Sequence, residues 1–137
     1  MKRTKKNNKG FSLVELIVVV LIMAIIAVAL APQVMKWVNE SRKSADASTY
    51  DSVVAACQDA LADETVWNDV AKEGNDITIT ISDSTLGLAG PTTFQAELKK
   101  QLGGNTDSIK FKQKGATATV TIKADGTVER TQEPKVN

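Results

Sequence analysis

The 137-residue chain has no histidine and a single cysteine. Nor does it carry a glycine-rich phosphate loop, calcium-loop spacing or a nucleophile elbow. Without histidine there is no Ser-His or Cys-His catalysis, no histidine metal site and no ordinary proton shuttle near neutral pH. Carboxylate pairs such as Asp63 and Glu64, or Asp69 and Glu73, have no catalytic companions. Neither an enzyme nor a bound cofactor or metal is expected. Cys57 has no internal partner and is expected as a small buried apolar side chain, an intermolecular bridge being the other reading.

Positive charge is scarce outside the N-terminus. Lys2, Arg3, Lys5, Lys6 and Lys9 all precede Gly10, and the rest of the chain holds 12 basic against 16 acidic residues. An acidic body of this kind is a poor binder of nucleic acid, whose phosphates need a basic surface. Lys110, Lys112 and Lys114 alternate along one segment, and are expected on a solvated edge strand that charge protects from aggregation.

Apolar residues are concentrated after the basic tip: between Phe11 and Ala31 only Ser12 and Glu15 are not apolar. Those residues form ~31 Å of helix at ~1.5 Å per residue, enough to cross a hydrocarbon core of ~30 Å. The basic tip in front should hold the N-terminus in the cytoplasm and the body on the far side. A cleavable secretory signal has a candidate site at Ala29-Leu30-Ala31. Pro32 directly after the cut, the length of the apolar run and Glu15 inside it count against that reading. A carboxylate at mid-bilayer costs about 2.5 to 3.5 kcal/mol on insertion scales, and even near a helix end it requires a partner. No basic residue lies between Lys9 and Lys36, so the partner must come from the N-terminal side or from another molecule.

Lys9-Gly10-Phe11-Ser12-Leu13-Val14-Glu15-Leu16, after a basic leader and before about twenty apolar residues, resembles the class III signal of type IV pilins and pseudopilins. The resemblance implies cleavage between Gly10 and Phe11 by a membrane-embedded prepilin peptidase and N-methylation of Phe11. It also implies that Glu15 pairs with the new amine of a neighbouring subunit as an assembly contact. A low dielectric raises both the value of such a pair and the cost of leaving either group alone.

Beyond the apolar run, Pro32 must kink or locally melt a helix passing through it. Val34, Val38, Ala45, Val53, Cys57 and Leu61 nevertheless keep helical spacing, which predicts one bent helix from about Phe11 to about Asp63. In similar pilins a proline here marks a segment that unwinds as the filament stretches. The many small residues of the distal half, Ala45, Ala47, Ala55, Ala56, Ala60 and Ala62, suit close approach of a sheet, with Val53, Cys57 and Leu61 facing it. Asn39-Glu40-Ser41 fits an N-glycosylation acceptor but falls on this helix, and no glycan is expected.

A linker from Thr65 to Asn75 leads to a strand in which Ile77, Ile79 and Ile81 alternate with threonines. "LGLAGP" reads as a loop, and "TTFQAELKKQLGG" as a short helix with a Thr92-x-x-Gln95 capping box and a buried stripe of Phe94, Leu98 and Leu102. Three further antiparallel strands are expected in "SIKFKQ", "ATATVTIK" and "TVERT", the last two joined by a turn at Asp125-Gly126. The C-terminal loop disulfide of many Gram-negative pilins cannot form with one cysteine, so the tail "TQEPKVN" must be held by other contacts or stay mobile.

The expected fold is α+β, a long bent N-terminal helix packed by its distal half on a small antiparallel sheet. Residues 1–10 are the cleaved leader, 11–31 the membrane and assembly helix, and 32–137 the head. The resemblance implies a structural subunit: a single-pass precursor in the cytoplasmic membrane, then part of an extracellular pilus. Its implied partners are other pilin copies, the peptidase, an assembly platform protein and an ATPase. A pseudopilin of a type II secretion or competence system shares every N-terminal feature and is the alternative. A single-pass anchor with a binding head is the more distant one.

Overall fold

The computed structural model describes residues 10–136. The elements are α1 (Leu13–Leu61), α2 (Glu64–Glu73), β1 (Ile77–Ser82), β2 (Leu86–Gly87), α3 (Thr92–Gln101), a 3-10 turn (Thr106–Ser108), β3 (Ala116–Ile122) and β4 (Val128–Val136). They fall into two units, one up to Val38 and one from Asn39 onward. Within the described residues, the first unit consists of Gly10, Phe11, Ser12 and the N-terminal part of α1. Pro32 lies inside α1, so the helix does not stop at Ala31.

The second unit is α+β, the distal part of α1 packed on a four-stranded antiparallel sheet of order β2-β1-β3-β4. The isoleucine alternation does what period two demands: Ile77, Ile79 and Ile81 are buried while Thr78 and Thr80 are exposed. Pairing Ile79 with Val120 and Ile77 with Ile122 puts apolar side chains of β1 and β3 on one face. From α1 that face receives Tyr50, Val53, Cys57, Ala60 and Leu61, and from α3 it receives Phe94 and Leu98. Of the five alanines from Ala45 onward on α1, only Ala56 and Ala60 are buried. The others point to solvent, because a helix offers the sheet one stripe.

Four local expectations need correction. The stretch 65–75 is largely helical, not a linker: the Asp63 carboxylate caps α2 by accepting from the Thr65 amide at 2.9 Å, and Gly74 closes it in the left-handed region at φ 65°. Val66 and Val70, one turn apart, bury its inner face. α3 has no side-chain cap at Thr92; Pro91 precedes it, and the Gln95 side-chain amide donates to the Gly90 carbonyl at 2.8 Å. β2 interrupts the expected loop, pairing Gly87 with Thr80 and Leu86 with Ile81.

"SIKFKQ" is not a strand. Phe111 is buried and Ile109 half-buried, as the inward pattern requires, but the backbone forms the 3-10 turn followed by an irregular loop. Its amides find other acceptors: Phe111 donates to the Ser82 carbonyl at 2.9 Å, and Lys112 and Gln113 donate to the two carboxylate oxygens of Asp46 on α1. Lys110, Lys112 and Lys114 accordingly project from a loop. Of the two outcomes open to the tail, the structure shows it held by other contacts. β4 runs to Val136, and its pairs Thr119 with Gln132 and Thr117 with Lys135 hold it along β3 across a bulge.

Candidate processing and assembly site

Gly10, Phe11 and Ser12 precede α1 without regular structure, and Phe11 is 93% exposed. Gly10 has an ordinary backbone conformation, and a Cβ added there would meet nothing within 4 Å. This chain's own folding does not require glycine at that position. An exposed, irregular Gly10–Phe11 junction is a peptide bond open to another protein.

Ser12 and Glu15 stand in the S-x-x-E spacing of a capping box. The Ser12 amide donates to Glu15 Oε2 at 2.9 Å, and the Leu16 amide donates to the Ser12 carbonyl at 3.2 Å. The first turn of a helix has unpaired amides and the positive end of the dipole, both of which favour a carboxylate there. Part of the partner demanded for Glu15 is therefore a main-chain amide just N-terminal to it. Only Oε2 is so engaged among the described residues. The capping spacing was legible in the sequence and was missed there, because Glu15 draws attention as a charge in an apolar run.

Phe11, Glu15, Leu16 and Val19 line one shallow concavity at this helix start. Onward from it every side chain of α1 is exposed as far as Ala45, including Leu21, Ile25 and Val28. This helix is long and apolar enough to cross a membrane, and its most apolar window is wholly unburied. So much contiguous exposed apolar surface marks an interaction surface and fits a membrane-anchored precursor.

In the second unit the side chain that sequence reasoning overlooked is Asp46, fully buried and closed by the Lys112 and Gln113 amides. Its signal was its place on the Tyr50, Val53 and Cys57 stripe, one turn before Tyr50. Tyr50 donates its hydroxyl to the Thr119 carbonyl at 3.0 Å beneath the Arg130 guanidinium, which lies 5.6 Å from its ring centroid. Burial, opposed by Arg130, pushes the Tyr50 hydroxyl above its ordinary pKa. Arg130 also meets Asp51 at 2.7 Å, an exposed pair worth ~0 to 1 kcal/mol.

Cys57 is buried and unpaired, and burial pushes its thiol up to about 12. Such a thiol is inert, and the intermolecular bridge is not available to it. One carboxylate of each acidic pair has a structural use. Asp63 caps α2, its carboxyl held below the ordinary value chiefly by the Thr65 hydroxyl, and Asp69 accepts from the Thr93 hydroxyl at 2.9 Å.

No curated protein and no solved structure matches the chain. Residues 5–31 match the prokaryotic N-terminal methylation motif, the class III signal of type IV pilins and pseudopilins, and Leu13–Ala31 of that match lie on the exposed part of α1.

Proposed function

We propose that the protein is the precursor of a type IV pilus subunit. It enters the cytoplasmic membrane through its basic leader and apolar helix, with the head on the outer side. Prepilin peptidase cuts between Gly10 and Phe11, and Phe11 is methylated. The 11–31 helices then bundle into the filament core and the 32–137 heads coat it, with the platform protein and the ATPase driving assembly. The observation that carries this reading is the methylation motif lying on an exposed, irregular junction whose glycine the chain's own fold does not need.

Glu15 then serves two states. In the lone subunit it caps its own helix through Ser12. On assembly its carboxylate takes the Phe11 amine of a neighbour, a charged partner that exists only after cleavage, and so selects the axial register between subunits. Pro32 leaves the Val28 carbonyl without its helical donor, which makes that turn the place where the filament helix opens under load.

N-terminal mass spectrometry of surface-sheared material tests the reading. Methylated Phe11 as the first residue of filament subunits is expected; a chain starting at Met1 or at Pro32 refutes it. Pseudopilins are processed in the same way, and recovery of methyl-Phe11 only from the membrane fraction, with no surface filament, would favour that assignment.

A further inference from the structure

Past Ala31 the exposed helix changes character. Pro32, Gln33 and Lys36 break the apolar run, and Trp37, an aromatic in a stretch that has none from Ser12 through Lys36, is 63% exposed. A large indole left open to solvent on a helix, beside a lysine, needs a cover. Tryptophan favours the boundary between headgroups and acyl chains, where its ring is partly apolar and its N–H stays wet. A neighbouring lysine lays its methylenes along the apolar layer and reaches the phosphates with its ammonium.

The spacing specifies the cover. From Phe11 to Trp37 is 26 residues, or about 39 Å at helical rise. A bilayer including its headgroup layers is ~40 to 45 Å thick. The helical stretch from Leu13 to Ala31, apolar but for Glu15 in its first turn, gives about 28 Å, close to the ~30 Å hydrocarbon core. Each end then carries the same pair, a lysine and an aromatic: Lys9 with Phe11, and Lys36 with Trp37. Anchors of this type set the depth and tilt of a membrane helix, which length alone leaves open.

We propose that Lys36 and Trp37 are an interfacial anchor seated in the outer headgroup layer of the bilayer, and that they fix the depth of the Gly10–Phe11 bond at the opposite face. The proposal rests on the reading of this chain as a membrane-processed precursor. A peptidase embedded in the same membrane acts at one height, so a chain that slides along the normal presents the bond less often. Trp37 thus governs cleavage from the far side of the membrane without touching the peptidase.

The test uses the full-length precursor with Trp67→Phe, which leaves Trp37 as the only indole. It is reconstituted in phosphatidylethanolamine and phosphatidylglycerol vesicles containing lipids brominated either near the headgroup or near the chain end. Stronger quenching by the shallow bromines is expected; stronger quenching by the deep ones, or none by either, overturns the anchor. In a second arm, Trp37→Ala and Trp37→Tyr in the otherwise unaltered chain are compared for leader release by membranes containing prepilin peptidase. The alanine variant should be cut several-fold more slowly and the tyrosine variant near the wild-type rate, and equal rates for all three overturn the depth-setting role. Failure of the wild-type chain to be cut after Gly10 refutes the processing reading instead, whatever the quenching shows.

Discussion

Replacing Asp46 should unfold the head more readily than any other single polar substitution on α1. Its side chain is fully buried, and its two oxygens take the Lys112 and Gln113 amides, 66 and 67 residues away in sequence. Hydrogen bonds to a charged group contribute ~1.5 to 3 kcal/mol each, and a buried donor left alone costs ~1 to 3 kcal/mol. The amides are only partly buried, so water recovers some of this, and Asp46→Ala should cost about 2 to 4 kcal/mol. For a unit of this size ~1 kcal/mol moves the melting temperature by ~4 to 8 °C, which places the expected drop at roughly 10 to 25 °C. Asp46→Asn is the sharper variant, since it keeps the volume but turns one acceptor into an NH2 that faces an amide donor. Thermal melting followed by circular dichroism should place it close to the alanine variant, with hydrogen exchange at the Lys112 and Gln113 amides accelerated in both. An asparagine variant as stable as wild type would refute the account, because shape and not acceptor chemistry would then hold the loop.

Gly126 sits at φ 80°, and a Cβ there would fall 1.6 Å from Trp67 Cζ3, whereas Gly74 at φ 65° has open space around it. Gly74→Ala should therefore cost only the left-handed penalty of ~1 to 2 kcal/mol, while Gly126→Ala costs distinctly more and recovers part of the loss in combination with Trp67→Ala, read as denaturant midpoints. Cys57 binds its proton more tightly folded, at about 12 against an ordinary 9.0. A raised folded pKa gives stability that is whole below pH 9 and is lost as pH climbs towards 12, at up to ~1.4 kcal/mol per pH unit. Urea titrations of wild type and Cys57→Ala should thus show a steeper alkaline decline in wild type; identical slopes would contradict the burial. Deleting residues 132–137 strips β3 of its partners Gln132 and Lys135 and bares a new sheet edge. The truncated chain should melt earlier and show concentration-dependent light scattering, and a variant that stays monomeric and as stable as wild type would mean the tail is dispensable.

What the sequence made legible is what period and spacing encode. Three isoleucines at every second position could form only one kind of strand with one apolar face, and β1 has that face buried. Val53, Cys57 and Leu61 repeat every four residues and meet that face on α1. The failures share a cause: they occur where a backbone group is satisfied by a residue distant in sequence, or by a cap whose side chain also reads as something else. Phe111 pointed inward, but nothing near it announced that Asp46 would take two amides of its segment in place of a ladder. Asp63 read as half of an acidic pair when it was the cap of α2, and Gly74 as the end of a linker when it was that helix's stop. For the tail, a missing disulfide left other contacts or mobility open, and the main-chain pairing with β3 that holds it needs no particular side chain and leaves little trace in composition.

The two units differ in what their residues answer to. In the head each conspicuous polar group has a partner in the same chain, as with Asp46, Tyr50 and Asp63, and Gly126 stands where a side chain cannot. In the N-terminal unit the reverse holds: Gly10 has space around it, Phe11 and the apolar face up to Val38 are exposed, and Glu15 takes only an amide that a helix start offers any acceptor. A residue pattern that the fold does not need has its reason outside the chain. On the proposed reading, that outside for Phe11 to Ala31 is first lipid and then other subunits, two environments that both exclude water. The same apolar surface therefore suits both, and the sole charged side chain in it, Glu15, is the group whose pairing distinguishes them. In sequence the nearest basic residue before it is Lys9, in the leader; on the proposed reading, cleavage gives each subunit a new ammonium at Phe11. On that same proposed reading, removal of ten residues converts a helix cap into half of an ion pair, and a Glu15→Gln subunit should be cleaved at the normal rate yet enter filaments poorly beside wild-type copies. Equal incorporation in sheared filaments, measured by mass spectrometry of a mixed population, would show that assembly does not use the charge.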